Sequence, residues 1–341
     1  MPAKLPKPTG LRPRVRPSRG TAGREPRCAL PARLRRPRLL VVGCGDVGLR
    51  VLRTLSDRLP LRLHAIAVAR TSESCERARA LGAHALVVDL DDRRAVRRLG
   101  ALARWVVHLA PPPPRGVDDP RVGALIAAAR PALHRARARR STPARWVLAG
   151  TTGVYGDAGG ARFDETRPIA PATDRARRRA AAEFRLRSLA RCGLAQASIL
   201  RVPGLYAHDR WPLDRLRRGD PVLQRDEDVY TNHLHADDLA RIVWLALFRG
   251  RPGRVVHATD DAPMRLGDWL DRIALAFGLA KPPRASRARI AAGRAAALPQ
   301  VLGESRRLDN LRLRSELRYR LRWPTIDAAL AAMQQRSGKA L

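Results

Sequence analysis

From Arg38 onward, apolar runs of four to six residues alternate with stretches whose apolar positions recur at helical spacing, the pattern of strand and helix units around a parallel sheet. Strands are predicted at Leu39–Val42, Leu63–Ala69, Ala85–Val88, Trp105–Leu109, Trp146–Ala149, Ala197–Leu200 and Val255–Ala258. Helices are predicted between them at Val47–Leu59, Ser74–Leu81, Arg93–Leu102, Val122–Arg137, Ala176–Ala190 and Asp238–Leu247. After Arg201, prolines at 203, 212, 221 and 252 make the elements less regular, and helices near Leu266–Phe277 and Thr325–Met333 close the chain. This predicts a doubly wound α/β domain over residues 38–200 and a smaller mixed C-terminal lobe over 201–338, with a strand near 255–258 returning to the sheet.

Residues 1–37 carry no such period. They hold eight prolines, eleven basic residues and one acid, and are expected to be a disordered basic tail. No apolar run approaches the ~18–20 residues of a membrane span, so a soluble chain is expected. The four cysteines, at 28, 44, 75 and 192, form no CxxC pair. That pattern argues against a disulfide framework or a zinc ribbon and fits a reducing, cytoplasmic setting.

A net charge of +36 first suggests nucleic acid. However, 63 of the 67 basic residues are arginine in a chain rich in Ala, Gly and Pro, and the arginines are dispersed without interleaved aromatics. GC-rich coding explains that composition, and no specific nucleic-acid partner is expected.

The chemistry begins at Gly43-Cys44-Gly45-Asp46-Val47-Gly48, a GxGxxG directly after one predicted strand and directly before one predicted helix. In that order Gly43 makes the tight turn, Gly45 lets the backbone approach a pyrophosphate, and Gly48 allows close helix–strand packing, which is the fingerprint of a Rossmann dinucleotide site. At the end of the second strand, where a carboxylate would bind the ribose 2′-hydroxyl of NAD, the chain has Arg70, Thr71 and Ser72. These favour the 2′-phosphate of NADP, with NAD as the alternative.

Three further segments resemble the extended and atypical short-chain dehydrogenase/reductases, the NAD-dependent epimerase/dehydratase family. They are Val106-Val107-His108-Leu109-Ala110-Pro111; Thr151-Thr152-Gly153-Val154-Tyr155-Gly156, with Phe163-Asp164-Glu165 and Pro168 trailing; and Leu200-Arg201-Val202-Pro203-Gly204-Leu205-Tyr206 with His235-Ala236-Asp237-Asp238-Leu239. The resemblance spans roughly residues 38–335. It implies a dinucleotide held also by Asp89, Leu90, Leu109, Ala110 and Pro111, a substrate lobe at the C-terminus, and hydride transfer at a carbon bearing oxygen in a sugar nucleotide or small carbonyl compound. Partners expected from it are a small-molecule substrate, anionic in one reading, with the chain acting as a monomer or homodimer.

One departure stands out. Where the family carries YxxxK ahead of a glutamate, counting back from Glu183 puts Arg179 in the lysine position and Arg175 in the tyrosine position. Arginine does not release its proton at workable pH. Two readings follow. In the enzyme reading Thr151 orients the substrate carbonyl, Tyr155 exchanges the proton with Arg179 beside it, and Arg175, Arg201 and Arg307 hold an anionic substrate. In the other reading the fold binds its dinucleotide without turnover, as a sensor or scaffold. His233, His235, Asp237 and Asp238 are read as loop packing and a helix cap, with Asp237 as N-cap and no metal.

Overall fold

The central strands of the main sheet are apolar over most of their length because both of their faces are covered, whereas the edge strand His84–Val87 leaves Leu86 and Val87 exposed. In the computed structural model, which describes residues 37–58, 63–292 and 300–337, seven strands form this sheet: β1 (Arg38–Val42), β2 (His64–Ala69), β3 (His84–Val87), β4 (Trp105–His108), β5 (Arg145–Ala149), β6 (Gln196–Arg201) and β7 (Arg254–His257). They pair in the order β3-β2-β1-β4-β5-β6-β7, all parallel. In β1, Leu39 and Val41 face one core and Leu40 and Val42 the other, all at 0% exposure. Continuous apolar strands are the sequence mark of such a doubly covered sheet.

Five helices connect the first six strands: α1 (Asp46–Arg58), α2 (Ser72–Ala80), α3 (Arg93–Leu99), α4 (Pro120–Ala138) and α5 (Asp174–Arg191). One core packs β1, β4 and β5 against α1, α2 and the later helix Ala236–Arg249. The opposite core takes α3, α4 and α5. Local chemistry sets the helix starts: Thr71, Asp92, Asp119 and Thr173 each accept a backbone N–H of the first turn, which satisfies donors that the helix itself leaves free.

A third core lies after β6 and gathers Tyr206, Leu266, Trp269, Leu270, Ile273 and Ile326, with Trp211 and Trp323 against it. The described residues from Pro37 to Ser337 nevertheless form one compact unit. The expected disordered tail falls, apart from Pro37, outside the described residues. No helix among the described residues is long and apolar enough to cross a membrane.

One helix start differs from expectation. The helix after His235 begins at Ala236, and His235 is its N-cap, accepting the Asp237 N–H at Nδ1 across 3.2 Å. Asp237, expected as the cap, points its carboxylate to Arg50 instead, at 2.6 Å.

Candidate functional site

The strand order reverses between β1 and β4, and the loops leaving these two strands part there. Ligands of open α/β sheets lie at this switch point, outside the carboxyl ends of the strands. Gly43 and Cys44 follow β1 and donate to the Val68 carbonyl of β2 at 2.9 and 2.8 Å, while Leu109 and Ala110 follow β4 and donate to Val42 at 2.8 and 3.0 Å. A cleft of about 400 Å³ opens above them, within the usual range of small-molecule sites.

The glycines divide the work as their spacing predicts. Gly43 has φ +89°, and a Cβ there would lie 2.3 Å from the Ala110 nitrogen, so only glycine fits the turn. At Gly45 an added Cβ would meet no atom within 4 Å, so its backbone borders open cleft. Gly48 is not on the cleft wall; a Cβ on it would come within 3.0 Å of the Gly43 carbonyl, which places its role in packing.

Most residues expected at the cofactor do line this cleft: Gly43, Cys44, Gly45, Asp46 and Val47 from the loop, Arg70 and Thr71 after β2, Asp89 and Leu90 after β3, and Leu109, Ala110 and Pro111 after β4. Ser72 does not. Ser74 takes its place on the wall, receiving a hydrogen bond from the Thr71 hydroxyl at 3.0 Å while Thr71 caps α2. The S/T-x-x-S spacing of a helix cap was the available signal for it.

Two arginines on the wall were not foreseen. Arg121, in the first turn of α4, grips both oxygens of Asp91 at 2.6 and 2.7 Å and leans on the Pro111 carbonyl. Arg210 arrives from beyond β6 and meets Asp46 at 2.9 Å. Arg50 holds the other Asp46 oxygen at 2.8 Å and also binds Asp209 and Asp237, so three carboxylates surround one guanidinium whose own pKa their hydrogen bonds raise against the cost of burial. His208, His235 and Asp237 bring metal-capable atoms within 4.8 Å of one another, but the cation already seated on this Asp237 is Arg50.

Behind the cleft, α5 supplies the residues at the unusual positions. Arg175 is exposed at the start of the helix. One turn on, Arg179 is 6% exposed and donates to the Ala110 carbonyl at 3.0 Å, bracing the cleft wall from within. Burial brings its pKa down to about 10, leaving it charged. Its second terminal nitrogen and both ring nitrogens of His108 have no hydrogen-bond partner among the described residues. Burial, reinforced by Arg179, pushes His108 down to about 3, so the ring is neutral.

Thr151 lies at the carboxyl end of β5, beside the end of β4, and its Oγ1 accepts the Gly153 N–H at 3.2 Å. Tyr155, expected as the proton carrier on this loop, is 1% exposed and does not border the cleft. Its hydroxyl lies 2.6 Å from His257 Nε2 and accepts from Arg201 at 2.5 Å. Burial raises its pKa to about 12 despite the guanidinium. Arg201, expected on the substrate, is spent on Tyr155 and on a buried ion pair with Glu183 at 2.8 Å. Arg307 likewise turns away, donating to the Gly160 carbonyl at 2.8 Å over the Tyr230 ring. Tyr155 and Arg201 are buried, and a buried polar group takes the partners that the surrounding fold offers; Arg307 is half-buried and held by the Gly160 carbonyl.

Sequence comparison decides the kinship of a chain with this geometry, since residues 39–258 match the model of the NAD dependent epimerase/dehydratase family. The chain belongs to that family. No curated protein matches it. Among solved structures it is similar to a functionally unknown conserved protein from Silicibacter pomeroyi, with 26% identity and a TM-score of 0.69, covering 88% of this chain and 99% of that one. It also resembles the dTDP-glucose 4,6-dehydratase of Bacillus anthracis in complex with NAD (14% identity, TM-score 0.67, 89% and 97% covered). A third similar fold is the UDP-glucose 4-epimerase of Thermotoga maritima with UDP-glucose (18% identity, TM-score 0.65, 89% and 99% covered). At such identities the last two carry the fold alone.

Proposed function

We propose that this family member is an NADP-dependent oxidoreductase of the epimerase type, acting at a carbon bearing oxygen in a sugar nucleotide or small carbonyl compound. The observation that carries the reading is the cleft at the switch point, where the glycine loop, the start of α1 and the Arg70-Thr71-Ser74 cluster share one wall. The loop amides and the α1 N-terminus suit a pyrophosphate. Arg70, with the hydroxyls capping α2, suits a 2′-phosphate; NAD, whose ribose carries a hydroxyl there, is the alternative. The bound nicotinamide supplies hydride transfer.

The chain's own residues then have limited roles. Gly43 to Val47 hold the pyrophosphate, Asp89 and Leu90 border the adenine end, and Leu109 to Pro111 form the floor that Arg179 braces. Thr151 Oγ1 accepts from Gly153, and its hydroxyl donates to no group among the described residues. Although, like Tyr155, it lies off the cleft wall, it is the hydroxyl left to orient the oxygen of the reacting carbon by one donated hydrogen bond, the proton itself coming from water. Arg175, exposed one turn before Arg179, is the remaining candidate for an anionic substrate group. Enzymes acting on sugar nucleotides share this fold, which accommodates that substrate class.

A second reading, a dinucleotide-binding protein without turnover, is favoured by one specific feature: Arg175 stands where a titrating tyrosine would be needed, and Tyr155 is committed elsewhere. Titrating NADPH and NADH into the protein, then following NADPH oxidation against carbonyls and sugar nucleotides, separates the two. Binding with turnover supports the enzyme, binding with none across the panel supports the second reading, and no binding of either cofactor overturns both.

A further inference from the structure

A second cavity of about 400 Å³ shares no residue with the first cleft. It lies between the loop Glu165–Ile169, one face of α5, and the start of the edge strand β7. Five arginines line it against two glutamates. Three of the five are already neutralised: Arg201 by Glu183, Arg254 by Glu316, and Arg312 by Glu165 at 3.4 Å and Glu316 at 3.9 Å. The other two are not. Arg187 is exposed and makes no hydrogen bond or ion pair among the described residues; Glu183, already bonded to Arg201, is the carboxylate that feels its charge. Arg167 rests its guanidinium on the Phe163 ring at 4.5 Å, a contact that leaves its in-plane N–H donors available.

The rim has the opposite character. Phe184 is 65% exposed and Ile169 41%, both large apolar side chains at the mouth of a cationic hollow. Guanidinium groups bind phosphate and carboxylate through paired donors, and an apolar rim favours a ligand with a hydrophobic body. We propose that this cavity is a binding site for a small organic anion, which places a phosphate or carboxylate on Arg187 and Arg167 and an apolar face on Phe184 and Ile169. The site stands independently of the dinucleotide cleft. Its inner wall is Arg201, whose other side holds Tyr155, so the ligand would sit one side chain from the loop that carries Thr151.

The test is a calorimetric titration of the full chain with phenyl phosphate, benzoate and inorganic phosphate, repeated on Arg167→Ala/Arg187→Ala and on Phe184→Ser. Saturable binding of phenyl phosphate or benzoate is expected, which of the two binds tighter telling phosphate from carboxylate. Inorganic phosphate should bind more weakly than phenyl phosphate. The double arginine variant should lose about tenfold or more in affinity, Phe184→Ser should narrow the gap between phenyl and inorganic phosphate, and dinucleotide titration should be unchanged in both. Several outcomes overturn the proposal: no saturable binding, affinity that survives the double variant as for general attraction to a basic surface, or phenyl phosphate displaced by NADPH. So does a Phe184→Ser variant that alters the oligomeric state, in sedimentation, while phenyl phosphate binding stays the same, since the face then serves a second copy of the chain.

Discussion

Tyr155 donates a hydrogen bond through its hydroxyl to His257 Nε2 across 2.6 Å. The direction follows from the far side of the ring, where Nδ1 lies 2.8 Å from the Asp309 carbonyl, which can only accept. Nδ1 therefore carries the hydrogen and Nε2 receives one. With Arg201 donating to the phenol oxygen and Glu183 holding Arg201, a chain of four side chains runs through the interior beneath the β5 loop. It joins the ends of β5, β6 and β7 and turns the tyrosine away from the cleft.

Replacing Tyr155 by Phe is therefore expected to act on stability first. It strips a partner from both Arg201 and His257, at a cost of about 1–3 kcal/mol for the buried groups left unsatisfied. Urea unfolding should show that loss while dinucleotide affinity holds. A fall of ~10²- to 10⁴-fold in turnover with unchanged stability would instead make Tyr155 the proton carrier.

The glycine loop offers a paired prediction. Gly43→Ala forces a Cβ onto the Ala110 backbone at φ +89° and should lower the melting temperature and abolish dinucleotide binding together. Gly45→Ala adds its methyl to open cleft; the melting curve should stay in place while affinity falls about tenfold, or about 1.4 kcal/mol.

Arg70 lies exposed beside the capped start of α2. Arg70→Asp should shift preference from NADPH toward NADH by removing a charge-assisted contact of about 1.5–3 kcal/mol. Parallel titrations of both cofactors into both proteins measure it, and equal affinities in the unaltered protein would remove the NADP assignment.

Thr151→Ala should lower kcat roughly tenfold through the loss of one hydrogen bond to the reacting oxygen. Arg175→Ala should chiefly raise KM for an anionic substrate, since arginine positions charge without trading protons. Steady-state kinetics on any substrate found in the carbonyl and sugar-nucleotide panel distinguishes the two.

His257 is buried, and that burial holds its pKa down at about 4 from the ordinary 6.5. Because the unfolded chain binds this proton more readily, the stability it contributes is fully present above about pH 6.5 and is lost as pH falls toward 4, with a slope of at most about 1.4 kcal/mol per pH unit. Buried carboxylates raised by desolvation, such as Glu183 and Asp238, oppose the trend. The test is thus a difference: His257→Gln should flatten the acid limb of stability between pH 6.5 and 4 relative to the unaltered chain.

The strands, the glycine turn and most of the cleft wall were legible because they rest on local rules. Period, a strand followed at once by GxGxxG, and small residues at fixed spacing act within a few residues of each other, and Gly43, Arg70 and Ala110 duly share one cleft. Arg210 and Arg121 were not legible, since each reaches the wall through an ion pair with a residue distant in sequence, Asp46 and Asp91. In a chain with 63 arginines, nothing local marks the two that matter. The orientation of Tyr155 is likewise a tertiary decision. Its loop motif predicts a phenol near the site, but a buried hydroxyl goes to whichever partners the fold brings within reach, and here those are His257, 102 residues away, and Arg201, 46 residues away. Sequence by itself determined the sheet, the turn and the kind of ligand the turn can hold; packing determined which side chains keep their donors for a ligand and which spend them inside the protein, because desolvation penalises any that do neither.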